Sequence, residues 1–200
     1  LDADASRWAS AAEARHRAID KYLWRPDQGM YMDYDFVTGK PSDYHFVATF
    51  YPLWAGLASP QQAASLRGKL ALFERMGGLQ TSDRESGAQW DAPFGWAPTN
   101  WLAISGLDAY GFHQEAGRIA HEFNGTIDRS LAADGTIREK YNMVSGNADV
   151  KISAGYKDNV IGFGWTNGVY LKLQQLLGSP KPQTVPKPSS SERSGETVHP

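Results

Sequence analysis

The spacing of apolar residues predicts a chain built mainly of helices. Between residues 6 and 24, Trp8, Ala11, Ala12, Ile19, Tyr22 and Leu23 recur at helical intervals, with Ser6 placed to cap the start. Residues 45–57 are almost continuously apolar and read as a second helix, which Pro52 should kink or shorten. Ser59 and Pro60 suit the N-cap and first turn of a third helix, which the pattern carries to about residue 76, where Gly77 and Gly78 stop it. A buried helix follows over 99–110, then an amphipathic one over 113–133, then an apolar one over 165–177. Gly111, Asp134-Gly135 and Gly178 end them in turn. The stretch 25–41 is rich in turn residues, with a short strand-like alternation in MYMDYDF.

The helices over 45–57, 99–110 and 165–177 are apolar nearly all round, and the others are amphipathic. A helix apolar on every side must be covered on every side. The expected fold is therefore all-α, with an inner layer of buried helices wrapped by an outer one. Residues 1–178 form one such unit. Residues 179–200 hold five Pro, many Ser and no aromatic residue, and read as a flexible or polyproline-like extension. No fixed-period repeat is present.

Composition narrows the function. Of 200 residues, 41% are hydrophobic and 21% charged, and the net charge is −2. This is a globular balance without the basic footprint of a nucleic-acid binder. Cysteine is absent, which removes disulfides, thiol catalysis and thiolate metal sites. No apolar run nears the roughly 18 residues that a membrane span needs. The first residues show neither Met nor a signal-peptide pattern, and read as a piece whose beginning lies elsewhere. The seven Trp, nine Tyr and eight Phe are unusual. Several sit beside Gly, Pro, Asn and Asp, where an aromatic face can meet the C–H face of a sugar or fill the core.

Three segments could carry chemistry. In the loop GLQTSDRESGAQWDAPFGWAP, Gln89 and Asp91 can hold hydroxyl groups while Trp90, Phe94 and Trp96 pack on a ring; the same loop could be a rigid corner. Glu139 lies between Arg138 and Lys140 and before Tyr141. A carboxylate among cations stays ionised, as a base that activates water must, although most Glu residues are surface charges. GFGWTNGVYLKL, with Trp165 and Asn167, lacks the strand that a phosphate-binding loop needs, so nucleotide binding is discounted. His16, His45, His113, His121 and His199 fit no ligand spacing, and neither a metal nor a cofactor is expected.

The segment QWDAPFGWAP at 89–98 resembles the second signature of the trehalases, inverting glycoside hydrolases that split α,α-trehalose into two glucoses. REKYN at 138–142 and GFGWTNGVYLKL at 162–173 agree in the right order, so the resemblance covers roughly residues 24–177. It implies the C-terminal part, about half, of an (α/α)6 barrel of inner and outer helices. It implies trehalose as substrate, Glu139 as general base, and Gln89, Trp90, Asp91, Phe94, Trp96, Tyr141 and Trp165 as sugar-binding residues near it. The 179–200 segment is similar to the Pro/Ser/Thr-rich extension of bacterial periplasmic trehalases, which implies a periplasmic or secreted protein, with a cytoplasmic one as the alternative.

The family's first signature, its acid Asp and its sugar-gripping Arg residues have no counterpart here, so the missing N-terminal part of the domain is an expected partner. The Gly-rich loop after EKY is replaced by MVSGNADVKISAGYKDNVI, with Gly155 and Tyr156 near the place of a family Glu, and Phe94 stands where Asn is common. Three readings stay open: part of a trehalase, a related (α/α)6 α-glucosidase, or a non-catalytic carbohydrate-binding remnant.

Overall fold

The structure is a computed structural model that describes residues 2–154 and 156–178. The extension expected over 179–200 lies outside these residues. Helix α1 (Asp2–Tyr22) leads into two short hairpins, β1 (Trp24–Arg25) with β2 (Met30–Tyr31) and β3 (Tyr34–Asp35) with β4 (Lys40–Pro41). A 3₁₀ turn at Val47–Phe50 runs into the one-turn helix α2 (Tyr51–Trp54), and α3 (Pro60–Arg67) follows. After a second 3₁₀ turn at Leu70–Leu72 comes the hairpin β5 (Glu74–Arg75) and β6 (Gly78–Leu79). Then come β7 (Phe94–Trp96), α4 (Ala97–Ala109), α5 (His113–Asp134), β8 (Lys140–Asn142) and α6 (Gly164–Gly178).

The three long C-terminal helices form where the pattern predicts, within two residues at each end. The first three differ. Helix α1 begins before Ser6, so Ser6 is inside it and not its cap. The single helix expected over 45–57 is a 3₁₀ turn followed by one α-turn. Pro52 sits in the first turn of α2, where its missing N–H breaks no bond but prevents an α-ladder from running through. The helix expected to reach residue 76 stops at Arg67, next to Gly68, and Gly77-Gly78 closes the β5–β6 hairpin instead. The start of α3 is as expected: Ser59 Oγ accepts from the Gln62 amide at 3.2 Å, and Gln62 Oε1 accepts from the Ser59 amide at 2.7 Å.

The layering follows the hydrophobic pattern in α4 and α5 but not in α6, which the pattern puts in the covered inner layer. Helix α4 lies between α2 and α6, and α5 packs against both α4 and α6. Ala103, Ile104 and Leu107 of α4 and Ile119, Phe123 and Ile127 of α5 are fully buried. Gly106 permits the close approach of α2: a Cβ there would lie 2.7 Å from Leu53 Cβ and from the Trp54 amide nitrogen. The outer and end elements are less covered. Helix α1 touches the core mainly through Ile19, and Trp8 is 67% exposed. On α6 only Thr166 and Leu173 are buried, while Leu171 is 62% exposed.

Candidate active site

The site is organised by the β7–β8 ladder, in which Trp96 pairs with Lys140 and Gly95 with Tyr141. Alternation along a strand sends Trp96 and Lys140 to one face and Tyr141 to the other. On the first face three indoles meet. The Trp90 and Trp96 rings stack at 3.9 Å, and Trp165, in the first turn of α6, meets Trp96 edge-on at 5.8 Å. Trp96 is almost wholly buried and its Nε1 donates to the Gln89 carbonyl at 3.0 Å. Trp90 and Trp165 stay more than a third exposed and form the outer surface of the cluster. Gly95 lets β7 lie close to its neighbours, because a Cβ would come within 2.6 Å of the Leu79 carbonyl and of Met143 Cγ.

Glu139 sits at a bend just before β8, which breaks the strand alternation and puts its carboxylate on the Lys140 side. It is only 5% exposed, and its Oε2 accepts from Lys140 Nζ at 2.8 Å and from the Tyr156 hydroxyl at 2.6 Å. Lys140 is fully buried. Its ammonium also donates to the Asp158 carbonyl at 2.8 Å and lies 5.1 Å from the Trp96 ring centroid and 4.2 Å from that of Tyr156. The backbone on both sides is pinned. The Glu139 amide donates to Val160 O at 2.9 Å, and Asn159 Oδ1 accepts from the Lys140 amide while its Nδ2 donates to the Lys140 carbonyl. Thr166 of α6 donates to the Glu139 carbonyl. The carboxylate, the cation and the aromatic wall are therefore one connected unit.

Of the residues singled out in the sequence, Trp90, Trp96, Trp165 and Glu139 come together, and Gln89 joins them through its backbone. Gln89 Oε1 is buried without a hydrogen-bond partner among the described residues. Three others point elsewhere. Asp91 is buried and turned into its own loop, where it accepts from the Tyr44 hydroxyl at 3.0 Å, from the amides of Ser86 and Ala92, and from the Ser82 hydroxyl. Burial alone would raise its carboxyl, but the hydrogen bonds from Ser82, Ser86, Tyr44 and Ala92 outweigh it and hold the group below the usual range. Phe94 is buried. Tyr141 is fully buried on the opposite face, edge-on to Phe123 of α5, with its hydroxyl accepting from the Arg138 amide. These three are buried beneath the aromatic cluster and do not lie on its exposed face. Lys140, Asn159 and Tyr156 are not among the site residues read from the sequence; the signals for them are the cation beside the acid and the place of Tyr156 near that of a family Glu.

Among the described residues, no cluster of three or more His, Asp or Glu side chains could hold a metal ion. No helix there is long and apolar enough to cross a membrane.

The helices among the described residues make up part of an (α/α)6 barrel, the fold of the glycoside hydrolases whose solved structures the chain resembles. Residues 2–178 match the sequence profile of the family described as Trehalase, and the chain belongs to that family. It is 40% identical over 172 residues to a periplasmic trehalase of Pseudomonas aeruginosa, covering 86% of this chain and 31% of that one. It is 36% identical over 191 residues to a cytosolic neutral trehalase of Neurospora crassa, covering 86% and 26%. The solved neutral trehalase of Saccharomyces cerevisiae superposes with a TM-score of 0.72 at 32% identity, over 86% of this chain and 31% of that one. The chain thus spans between a quarter and a third of these relatives' lengths. Periplasmic and cytosolic proteins both occur among them.

Proposed function

We propose that this chain is the base-carrying C-terminal part of a periplasmic trehalase, which hydrolyses α,α-trehalose to two glucoses with inversion at the attacked carbon. The observation that carries this reading is the position of Glu139: nearly buried, held by Lys140 and Tyr156, and joined through Lys140 to the Trp96 wall.

In this mechanism Glu139 takes a proton from water as the water oxygen bonds to the anomeric carbon. The glycosidic oxygen leaves with a proton from an acid Asp in the preceding part of the domain. Water adds across the bond, and the attacked glucose is released in the inverted configuration. The two carboxyl groups of inverting enzymes stand about 6.5–9.5 Å apart, which leaves room for the water. The exposed faces of Trp90 and Trp165 pack on the sugar. The chemistry uses protons and water alone, with no metal or cofactor.

The test is to assay trehalose cleavage with this chain alone and with the chain joined to the preceding part of its domain, following the configuration of the product by NMR. Activity of the joined protein only, with inversion, is the expected result. Cleavage of another α-glucoside with trehalose left intact would replace this reading by that of a related glucosidase. Sugar binding without any cleavage would leave a binding module.

A further inference from the structure

The two hydrogen bonds to Glu139 both fall on Oε2, from Lys140 Nζ at 2.8 Å and from the Tyr156 hydroxyl at 2.6 Å; Oε1 accepts none among the described residues. We propose that Tyr156 and Lys140 are positioning residues that divide the carboxylate's work between its oxygens: Oε2 is held, and Oε1 takes the proton from water. This rests on Glu139 acting as the base.

The geometry supports the division in three ways. First, a carboxylate on a bend between two tied backbone segments still turns about its side-chain torsions, and only a side-chain contact fixes which oxygen faces out. Two donors on one oxygen do that. Second, the donors brace each other: the Lys140 ammonium lies 4.2 Å from the Tyr156 ring centroid, so the ring is held over the cation while its hydroxyl reaches the carboxylate. Third, the two differ in exposure. Lys140 is fully buried and forms the floor; Tyr156 is 41% exposed and forms the lip of the site. The hydrogen bond to Glu139, with burial adding to it, pushes the Tyr156 phenol up to about 12, so it remains a donor throughout the working pH range.

The charged and titratable groups around the carboxylate are few. Lys140 comes from β8, and Tyr156 and Asp158 come from the following loop, with Asp158 contributing its carbonyl to Lys140. Arg138, next in sequence, is paired with Asp134. Trp96 of β7 and Trp165 and Thr166 of α6 carry no charge. A change at Tyr156 is therefore read by Glu139 with little competition.

The experiment uses the enzyme that contains this segment, once its trehalose cleavage is measured, with Tyr156→Phe and Tyr156→Leu compared with Glu139→Gln. Tyr156→Phe keeps the ring over Lys140 and removes the hydroxyl alone. The expected result is a kcat lower by roughly tenfold, the loss of one charge-assisted hydrogen bond, with KM changed less than about twofold. Tyr156→Leu reads the same way should Tyr156→Phe fail to fold. If both variants keep the wild-type kcat while Glu139→Gln is inactive, Tyr156 does not position the base. If Glu139→Gln itself retains turnover, the assignment of the base falls first and this inference with it.

Discussion

Trp96 and Lys140 are cross-strand partners whose side chains meet on one face of the β7–β8 ladder, with the ammonium 5.1 Å from the indole centroid. The pairing joins two segments that lie far apart in sequence, one bringing the aromatic wall and the other the carboxylate. The Lys140 side chain is also the buried counter-charge of Glu139. Replacing it by Met leaves Glu139 buried with its cation gone, which typically costs about 3–5 kcal/mol. Adding Glu139→Gln to Lys140→Met should recover a good part of that loss. Urea unfolding of the two single variants and the double one checks this; strictly additive losses would show that the pair is not coupled.

Glu122 of α5 provides a pH test away from the site. Arg118, one turn before it, is already forked onto Glu74 at 2.6 and 2.9 Å, and Glu122 Oε2 is buried without a hydrogen-bond partner among the described residues. Burial, with the Glu74 charge adding, raises the Glu122 carboxyl from 4.5 to about 7. A carboxyl raised on folding makes the folded chain bind more protons than the unfolded one between these values. Its contribution to stability is therefore greatest below about pH 4.5 and is lost as pH rises to about 7. Glu122→Gln should raise stability at pH 7.5 by about 1–2 kcal/mol and change it little near pH 4.5. Melting curves at the two pH values decide; an equal gain at both would rule out titration of Glu122.

Asn100 of α4 is fully buried and clamps the backbone beside the site. Its Oδ1 accepts from the Leu79 amide at 2.8 Å, and its Nδ2 donates to the carbonyls of Leu79 and Trp96 at 3.0 and 3.1 Å. Asn100→Ala strands both polar groups of the buried Leu79, an expected loss of about 2–4 kcal/mol in chemical unfolding. A loss under about 0.5 kcal/mol, the ordinary effect of a surface change, would show that the clamp carries no stability.

Two glycines should respond in opposite directions to the same substitution. Gly95→Ala drives a methyl against the Leu79 carbonyl and Met143, and should cost about 1–3 kcal/mol. Gly117→Ala in α5 meets nothing within 4 Å and should stabilise by about 0.5–1 kcal/mol. Thermal unfolding of both variants against wild type checks the contrast, and destabilisation by Gly117→Ala would contradict it.

What could be read in the sequence follows the range of the forces involved. Helices α4, α5 and α6 are long, regularly patterned and bounded by glycine, so local signals suffice for them. Helix α2 is short in the direction that Pro52 implies, while α3 ends at Arg67, beside Gly68, although the apolar pattern runs on to residue 76. Among the hairpins, only MYMDYDF, which holds β2 and β3, shows a strand-like alternation; a strand of two residues otherwise has no period to read. Around Glu139, the residues that carry the family resemblance mark which loops come together but not which face each side chain takes. Tyr141 and Lys140 are adjacent in sequence, and only the ladder register and the bend at Glu139 decide which of them joins the carboxylate. Tyr156 reaches Glu139 across 17 residues of irregular chain, and no local pattern announces such a contact.

The three meeting indoles have an optical consequence. Rings as close as Trp90 and Trp96 share their excitation, so their ultraviolet circular dichroism and emission depend on separation and tilt rather than on each ring alone. The Lys140 charge above Trp96 shifts the same spectrum. A ligand that settles against Trp90 or Trp165 changes these couplings directly. The protein therefore carries its own unlabelled reporter of occupancy, readable in a titration where no bond is broken and no product formed.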